Sequence, residues 1–82
     1  MYDFDLVKYG NNVKHFRILR GLTLEQLANL AGYNTPSARS AIQKIESGKC
    51  DIPLSKAIKI SNALNVPLDY LLGRTDNPEI NK

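Results

Sequence analysis

The chain has 82 residues, of which 43% are hydrophobic and 23% are charged, and its formal net charge at pH 7 is +3. A chain of this length forms one domain, buries only roughly 60–65% of its unfolded surface and supports a single modest core. Because Cys50 is the sole cysteine, the composition excludes a disulfide framework that would reinforce that core.

The sequence contains no export or membrane signal that we recognise. The N-terminal stretch MYDFDLVKYG carries acids and no apolar run, so it does not resemble a signal peptide. No segment approaches the roughly 20 apolar residues of a membrane-spanning helix. These features predict a soluble, cytoplasmic protein with no membrane partner. A lone cysteine fits a reducing compartment, although an incidental small apolar residue is the simpler explanation of Cys50.

Basic residues are concentrated in the middle of the chain. Between Lys8 and Lys59 there are nine bases and three acids, whereas the remaining acids lie toward the ends. A basic centre with acidic margins suggests that one face binds an anionic partner. Taken alone, the same pattern also fits the solvated surface of a small helical protein.

Helical spacing of apolar residues appears five times, and no segment alternates apolar and polar residues as a strand would. The sequence therefore predicts an all-α domain. The first helix is expected from about Asp5 to Arg20, with Gly21 ending it. In the second helix Thr23 is the expected N-cap and Gly32 follows the end. Its predicted buried face consists of Leu24, Leu27, Ala28 and Ala31.

The stretch YNTPSARSAIQKIESG predicts the third helix, with Thr35 as its cap and Pro36 in the first position, where no backbone N–H is needed. At about 100° per residue, its apolar residues point one way and its polar residues the other. The predicted buried face is Ala38, Ala41, Ile42 and Ile45. The predicted exposed face is Pro36, Arg39, Ser40, Gln43 and Ser47, with Lys44 on its flank.

Two more helices complete the predicted domain, which spans residues 1–73. The fourth begins near Pro53, and its predicted buried residues are Leu54, Ala57, Ile58, Ser61 and Leu64. The fifth lies in PLDYLLG and ends at Gly73. Residues 74–82 form a polar, proline-containing tail that we expect to be poorly ordered. The short glycine-containing connection between the second and third helices is typical of a helix-turn-helix.

Three segments, GLTLEQLANLAG, IQKIESGK and KISNALNVPLDYLL, occur in that order between about Gly10 and Leu72. Together they resemble the second helix, the end of the recognition helix and the last two helices of the Cro and lambda-repressor-like helix-turn-helix family, often called the Xre family. The resemblance implies a compact five-helix domain that places its third helix in the major groove of double-stranded DNA.

Carried over by position, the resemblance implies base contacts from four residues of the third helix: Arg39, Ser40, Gln43 and Lys44. Their chemistry suits that role. An arginine can donate two parallel hydrogen bonds to guanine, and a glutamine can pair with adenine. Serine can bind a base or a phosphate, and lysine can bind a guanine or a phosphate. Outside this family context, a solvated helix face would be the simpler interpretation.

Phosphate contacts are expected around the recognition helix. The family usually places glutamine where this chain has Leu24, so Thr23 or Gln26 would have to supply that contact. Lys49 matches a phosphate-binding lysine of the following loop. Asn12, Lys14 and Arg20 are weaker phosphate candidates.

The chain also has four more residues than the family between Gly32 and Ile42. These residues would either lengthen the third helix at its N-terminus or enlarge the turn. We favour the longer helix, because Thr35-Pro36 is a suitable helix start. Thr35 and Ser37 would then lie near the DNA backbone, although they fall outside the family motif.

Arg17 and Glu46 match a family pair that forms a partly buried ion pair, which would fix the angle of the recognition helix. We also expect a homodimer on an inverted-repeat operator, because one recognition helix covers too few base pairs to select a genomic site. The expected interface is the fifth helix, through Leu68, Tyr70 and Leu71. Leu71 and Leu72 could instead belong to the core.

No catalytic constellation is present. His15 is the only histidine and Cys50 has no partner sulfur, so neither a triad nor a zinc site is predicted, and no cofactor is expected. We therefore predict a non-enzymatic, sequence-specific DNA-binding transcriptional regulator, most simply a repressor. The alternative on the same fold is an antitoxin or a protein-interaction adaptor, whose partner would be a toxin or another protein.

Overall fold

The computed structural model describes residues 5–73. In that part of the chain the structure contains five helices and no strand, as the sequence predicts. The helices are α1 (Leu6–Leu19), α2 (Leu24–Leu30), α3 (Ala38–Glu46), α4 (Leu54–Leu64) and α5 (Leu68–Leu71). The predicted tail, residues 74–82, lies outside the described residues. No helix within residues 5–73 is long and apolar enough to cross a membrane.

Side chains close to each helix start fix where the first two helices begin. The Asp5 carboxylate accepts a hydrogen bond from the Lys8 backbone N–H at 3.0 Å. Thr23 and Gln26 form a capping box, in which each side chain accepts from the backbone N–H of the other residue. Such caps satisfy N–H groups that the helix itself leaves without a partner.

The helix ends follow one recurrent motif. At the end of α2, the backbone N–H of Gly32 donates to Asn29 and that of Tyr33 donates to Ala28. Gly32 has a φ of +88°, a left-handed conformation that glycine adopts without steric cost. This is a Schellman motif, and it turns the chain sharply before the connection to α3.

One apolar core joins all five helices. Helix α3 packs against α1 and α2, whereas α4 packs against α1, α2 and α5. This arrangement leaves the outer side of α3 uncovered. The largest fully buried side chains are those of Tyr9, Leu27, Ile42, Ile60, Leu64, Leu71 and Val13.

Helices α1 and α3 approach each other closely at Gly10. A Cβ atom at this position would collide with the backbone carbonyl oxygens of Ile45 and Glu46. Only a residue without a side chain therefore permits this contact, which brings the C-terminal end of α3 against α1.

The prediction of a longer third helix is wrong, because the extra residues enlarge the turn. Helix α3 begins at Ala38, and its N-cap residue is Ser37, whose side chain makes no capping hydrogen bond. The Thr35 carbonyl accepts the Ala38 backbone N–H at 3.0 Å, which closes a tight turn before helical geometry starts. Neither Thr35 nor Pro36 therefore starts the helix.

The predicted buried face of α4 is partly wrong. Leu54 is 68% exposed and Ile58 is 44% exposed, whereas Ile60, which was not predicted as core, is fully buried. Helix α4 is rotated from the predicted face because its packing surface is formed by α1, α2 and α5. Ala57, Ser61 and Leu64 are buried, because they lie on both the predicted and the observed face.

Candidate nucleic-acid interface

Helix α3 presents polar and cationic side chains on its uncovered face. Its opposite face is fixed in the core by Ala38, Ile42 and Ile45. The outward-facing side chains are all exposed, and they are those of Arg39, Ser40, Gln43, Lys44 and Ser47. The strong separation of apolar and polar residues around this short helix therefore gives one face for packing and one for a partner.

The exposed face divides into two grooves. Arg39 lines a cleft shared with the N-terminal end of α2, where Thr23 and Glu25 also lie. A second groove runs from Ser40 to Lys49 along the other flank of α3, and its lining is Ser40, Gln43, Lys44, Ser47 and Lys49. Arg39 thus lines a different cleft from the other three predicted base-contacting residues, while it lies one helical turn before Gln43 on the same face of α3.

The Arg39 side chain lies on the exposed face of α3. Within residues 5–73, its guanidinium makes no hydrogen bond or ion pair, and the residue is exposed. It is the second residue of α3, at the end of a recognition helix that enters the groove in helix-turn-helix proteins. Its donors are therefore available to an external acceptor.

The predicted phosphate-contacting residues of α2 are held in the capping box. The backbone N–H of Gln26 donates to the Thr23 Oγ1 at 3.0 Å, and the backbone N–H of Thr23 donates to the Gln26 Oε1 at 2.9 Å. These bonds use the side-chain oxygens as acceptors. The hydroxyl hydrogen of Thr23 and the amide nitrogen of Gln26 remain as donors, which is the chemistry that a phosphate oxygen requires. Leu24, between them, packs against the core.

Thr35 and Ser37 lie in the enlarged turn immediately before α3. Both are exposed, and their hydroxyl oxygens are 3.2 Å apart, within hydrogen-bonding distance. The pair therefore stands beside the N-terminal end of α3, with one hydroxyl orienting the other.

The expected ion pair between Arg17 and Glu46 is present and links α1 to the end of α3. Arg17 Nε donates to Glu46 Oε2 at 2.6 Å, and Nη2 donates to Oε1 at 3.3 Å. A third guanidinium nitrogen, Nη1, donates to the Leu22 carbonyl at 2.9 Å. The side chains are only 13% and 6% exposed. One arginine therefore ties α3 to both α1 and the start of the helix-turn-helix.

Two weaker phosphate candidates serve the fold instead. Asn12 Nδ2 donates to the Leu71 carbonyl at 3.1 Å, and Arg20 Nε donates to the Leu64 carbonyl at 2.8 Å. These carbonyls belong to the last turns of α5 and α4, where helices leave acceptors without partners. The sequence gives no local sign of this role, since each contact joins residues more than forty positions apart.

The predicted dimer surface is smaller than expected. Leu71 is fully buried within the chain, so its side chain cannot contact a second subunit, and its assignment to the interface is wrong. Leu68 and Tyr70 are half-buried and pack against the core. The Tyr70 ring lies 5.7 Å from the Phe16 ring in an edge-to-face arrangement.

The two short helices α2 and α3, their connecting turn and the cationic outer face of α3 define a helix-turn-helix DNA-binding domain of the kind that transcriptional regulators use. The chain belongs to the helix-turn-helix family, whose sequence model matches residues 13–71.

Two relatives are similar to most of the chain. It is 32% identical over 71 residues to the uncharacterized HTH-type transcriptional regulator YobD of Bacillus subtilis (strain 168), a match that covers 87% of this chain and 60% of that protein. The chain therefore spans less than two thirds of the length of this relative. The crystal structure of the restriction-modification controller protein C.AhdI from Aeromonas hydrophila superimposes with a TM-score of 0.71 at 33% identity, covering 82% of this chain and 96% of that chain.

Proposed function

We propose that this chain regulates transcription by binding a specific double-stranded DNA sequence with α3 in the major groove, and that it acts as a repressor. The observation that carries the proposal is the exposed face of α3, where Arg39, Ser40, Gln43 and Lys44 stand opposite a fully buried apolar face. Cationic and amide side chains on one open helix face are the donors and acceptors that base edges require.

The surroundings of α3 supply contacts for the DNA backbone. Lys49 lies beyond the C-terminal end of α3 and lines the same groove as Gln43 and Lys44. At the other end, Thr23 and Gln26 offer donors from the start of α2. Donors on both sides of a recognition helix fix its register on the duplex, while the helix itself reads the sequence.

Repression is the simplest regulatory outcome, because a protein that is bound to a promoter blocks RNA polymerase without having to contact the polymerase specifically. The names of the two relatives, a transcriptional regulator and a controller protein, support a regulatory role. The proposed action needs no cofactor and no catalytic step, and we place it in the cytoplasm.

The test is selection of bound duplexes from a random pool, repeated at several salt concentrations. We expect an enriched inverted repeat, and the logarithm of its binding constant should fall against the logarithm of salt concentration with a slope of about −0.9 per phosphate contact. Equal affinity for all sequences at physiological salt, or a flat salt response, would contradict the proposal.

We also propose that two copies bind the operator through α5 and the adjoining face of α4. Leu68 and Tyr70 contribute from α5, while Leu54 and Ile58 leave aliphatic surface exposed on α4. Helix α4 packs against α5, whereas α3 makes its main packing contacts with α1 and α2. Contact through this surface therefore leaves both recognition helices free.

The proposed dimer surface predicts an effect of Ile58→Glu. A charge in an apolar contact is costly, so dimerisation and operator binding should each weaken by at least about tenfold. Ser55→Glu is the matched control, since it adds the same charge at an exposed position of the same helix without removing an aliphatic side chain. Sedimentation and operator titration would measure both variants. One subunit per operator, or equal behaviour of the two variants, would rule out this surface.

A further inference from the structure

The side chain of Lys56 in α4 contacts the turn that precedes α3. Its Nζ donates a hydrogen bond to the Gly32 carbonyl at 3.2 Å and lies 4.8 Å from the centroid of the Tyr33 ring. The first contact places a cation at the C-terminal end of α2, where the helix dipole favours it. The second is within the range of a cation–π interaction. One side chain thus contacts two consecutive residues at the start of the enlarged turn.

The enlarged turn has few other contacts to hold it. Beyond the Schellman motif at Gly32 and Tyr33, Asn34 to Ser37 are all exposed. Their described hydrogen bonds are local: the hydroxyls of Thr35 and Ser37 bond to each other, the Ala38 N–H donates to the Thr35 carbonyl, and the Ala41 N–H donates to the Ser37 carbonyl. A segment that is held only by local hydrogen bonds can change its position relative to the core, and its two ends limit that movement. A contact from another helix at Gly32 and Tyr33, where the segment begins, therefore restricts the position of the whole turn.

Tyr33 is suited to anchor that end. Its side chain is half-buried and packs against the core, and burial, with a smaller contribution from the Cys50 thiol, raises the pKa of its hydroxyl. The phenol therefore stays neutral at physiological pH, and the ring presents an uncharged face to the Lys56 ammonium. The ring is held by the core on one side and covered by the cation on another.

We propose that Lys56 is a positioning residue for DNA recognition. It holds Gly32 and Tyr33, and thereby sets where Thr35, Ser37 and the first turn of α3 meet the DNA. The effect on DNA recognition rests on the proposed function. The restraint on the turn does not, because it concerns the protein without DNA. Lys56 itself is not required to touch the DNA.

The chain provides a matched control in Lys59. Its Nζ also lies near Gly32, because a Cβ at Gly32 would be 3.1 Å from Lys59 Nζ and 3.2 Å from Lys56 Nζ. Within residues 5–73, however, only Lys56 of this pair donates to the Gly32 carbonyl. Lys56→Met and Lys59→Met therefore remove the same charge from the same helix, and only the first removes the contact.

The first measurement is amide hydrogen exchange in the protein without DNA. In Lys56→Met, the amides of Tyr33 and Ala38 should exchange about tenfold faster than in Lys59→Met, because one hydrogen bond and one cation–π contact are lost. Lys56→Arg, which keeps a cation and a donor, should restore most of the protection. Equal exchange in both methionine variants would overturn the inference whatever the DNA result.

The second measurement is competition between the selected operator and its single-mismatch duplexes. Lys56→Met should reduce discrimination between matched and mismatched duplexes by about tenfold at the base pairs nearest the start of α3. Its binding constant should depend on salt concentration with the same slope as that of Lys59→Met. Lys56→Arg should recover the discrimination. A loss of affinity uniform across sequences, with a salt slope reduced by about one per subunit, would make Lys56 a phosphate contact and overturn the inference. If the unsubstituted protein selects no sequence, the proposed function fails, and amide exchange still decides whether Lys56 holds the turn.

Discussion

Replacing Glu46 with glutamine should lower the free energy of unfolding by about 3 kcal/mol, the lower end of the range for breaking a buried ion pair. The carboxylate accepts two hydrogen bonds from Arg17, and the two side chains are only 6% and 13% exposed. Without the carboxylate, the guanidinium keeps its burial but loses its counter-charge. Urea unfolding of the folded variant measures the loss, and we expect the midpoint to fall with an unchanged slope.

A double-mutant cycle separates the ion pair from the other contacts of each residue. Arg17→Met should destabilise as Glu46→Gln does, and should lose the hydrogen bond to the Leu22 carbonyl as well. The double variant should cost clearly less than the sum of the two single variants, since no isolated buried charge remains. Glu25→Gln, at an exposed position of α2, is the control and should change stability by less than about 0.5 kcal/mol. Additive losses would show that the pair does not act as a unit.

The elements that the sequence predicts well are those that local chemistry determines. The capping box at Thr23 and Gln26 involves residues three apart, and the glycine after α2 takes the left-handed conformation that ends a helix. Such contacts form from neighbouring residues alone. The boundaries of α1 and α2 therefore follow from the sequence to within about two residues, the usual uncertainty of helix ends.

The errors arise where the sequence allows two acceptable local choices. Thr35-Pro36 is a sound helix start, yet the Thr35 carbonyl accepts the Ala38 N–H and delays the helix. Leu54 and Ile58 form an apolar stripe with Ala57, yet α4 buries Ala57 and Ile60 and leaves Leu54 and Ile58 exposed. A local turn decides where α3 begins, whereas the packing of neighbouring helices decides which face of α4 is buried.

Some features of the candidate site follow from the local sequence, and others depend on contacts between helices. The exposed face of α3 follows from periodicity, because Ile42 and Ile45 fix which side is buried. The pairing of Arg17 with Glu46 came from family resemblance, since no local rule joins residues on different helices. The contact of Lys56 with Gly32 and Tyr33 was not predicted at all. It joins α4 to a turn that lies between the segments that carry the resemblance, so neither periodicity nor resemblance could indicate it.

Replacement of Arg39 should have the largest effect on DNA recognition. A guanidinium that spans both acceptors of a guanine contributes about 1–3 kcal/mol against the wrong base, and two half-sites would double that to about 2–6 kcal/mol. Arg39→Ala should therefore lower affinity for the preferred operator and relax the preference at one base pair of each half-site. The fold should be unaffected, because the side chain is exposed.

Lys49→Ala provides the contrast that identifies the kind of contact. Lys49 lies beyond the end of α3 and is exposed, and a lysine ammonium that binds a phosphate carries no sequence information. This variant should weaken binding to all duplexes about equally and reduce the salt slope by about one unit per subunit. Competition between matched and single-mismatch duplexes at two salt concentrations separates the two behaviours.

The position of Arg39 makes the comparison decisive. Because the extra residues enlarge the turn, Arg39 stands at the first turn of α3, in the cleft next to the start of α2. In helix-turn-helix complexes the start of the recognition helix contacts base edges and the preceding helix crosses the DNA backbone, so a side chain between them is near both. If Arg39→Ala behaves like Lys49→Ala, losing affinity uniformly and lowering the salt slope, then Arg39 binds a phosphate. Sequence readout would then belong to the groove of Ser40, Gln43 and Lys44 and to the hydroxyl pair of Thr35 and Ser37.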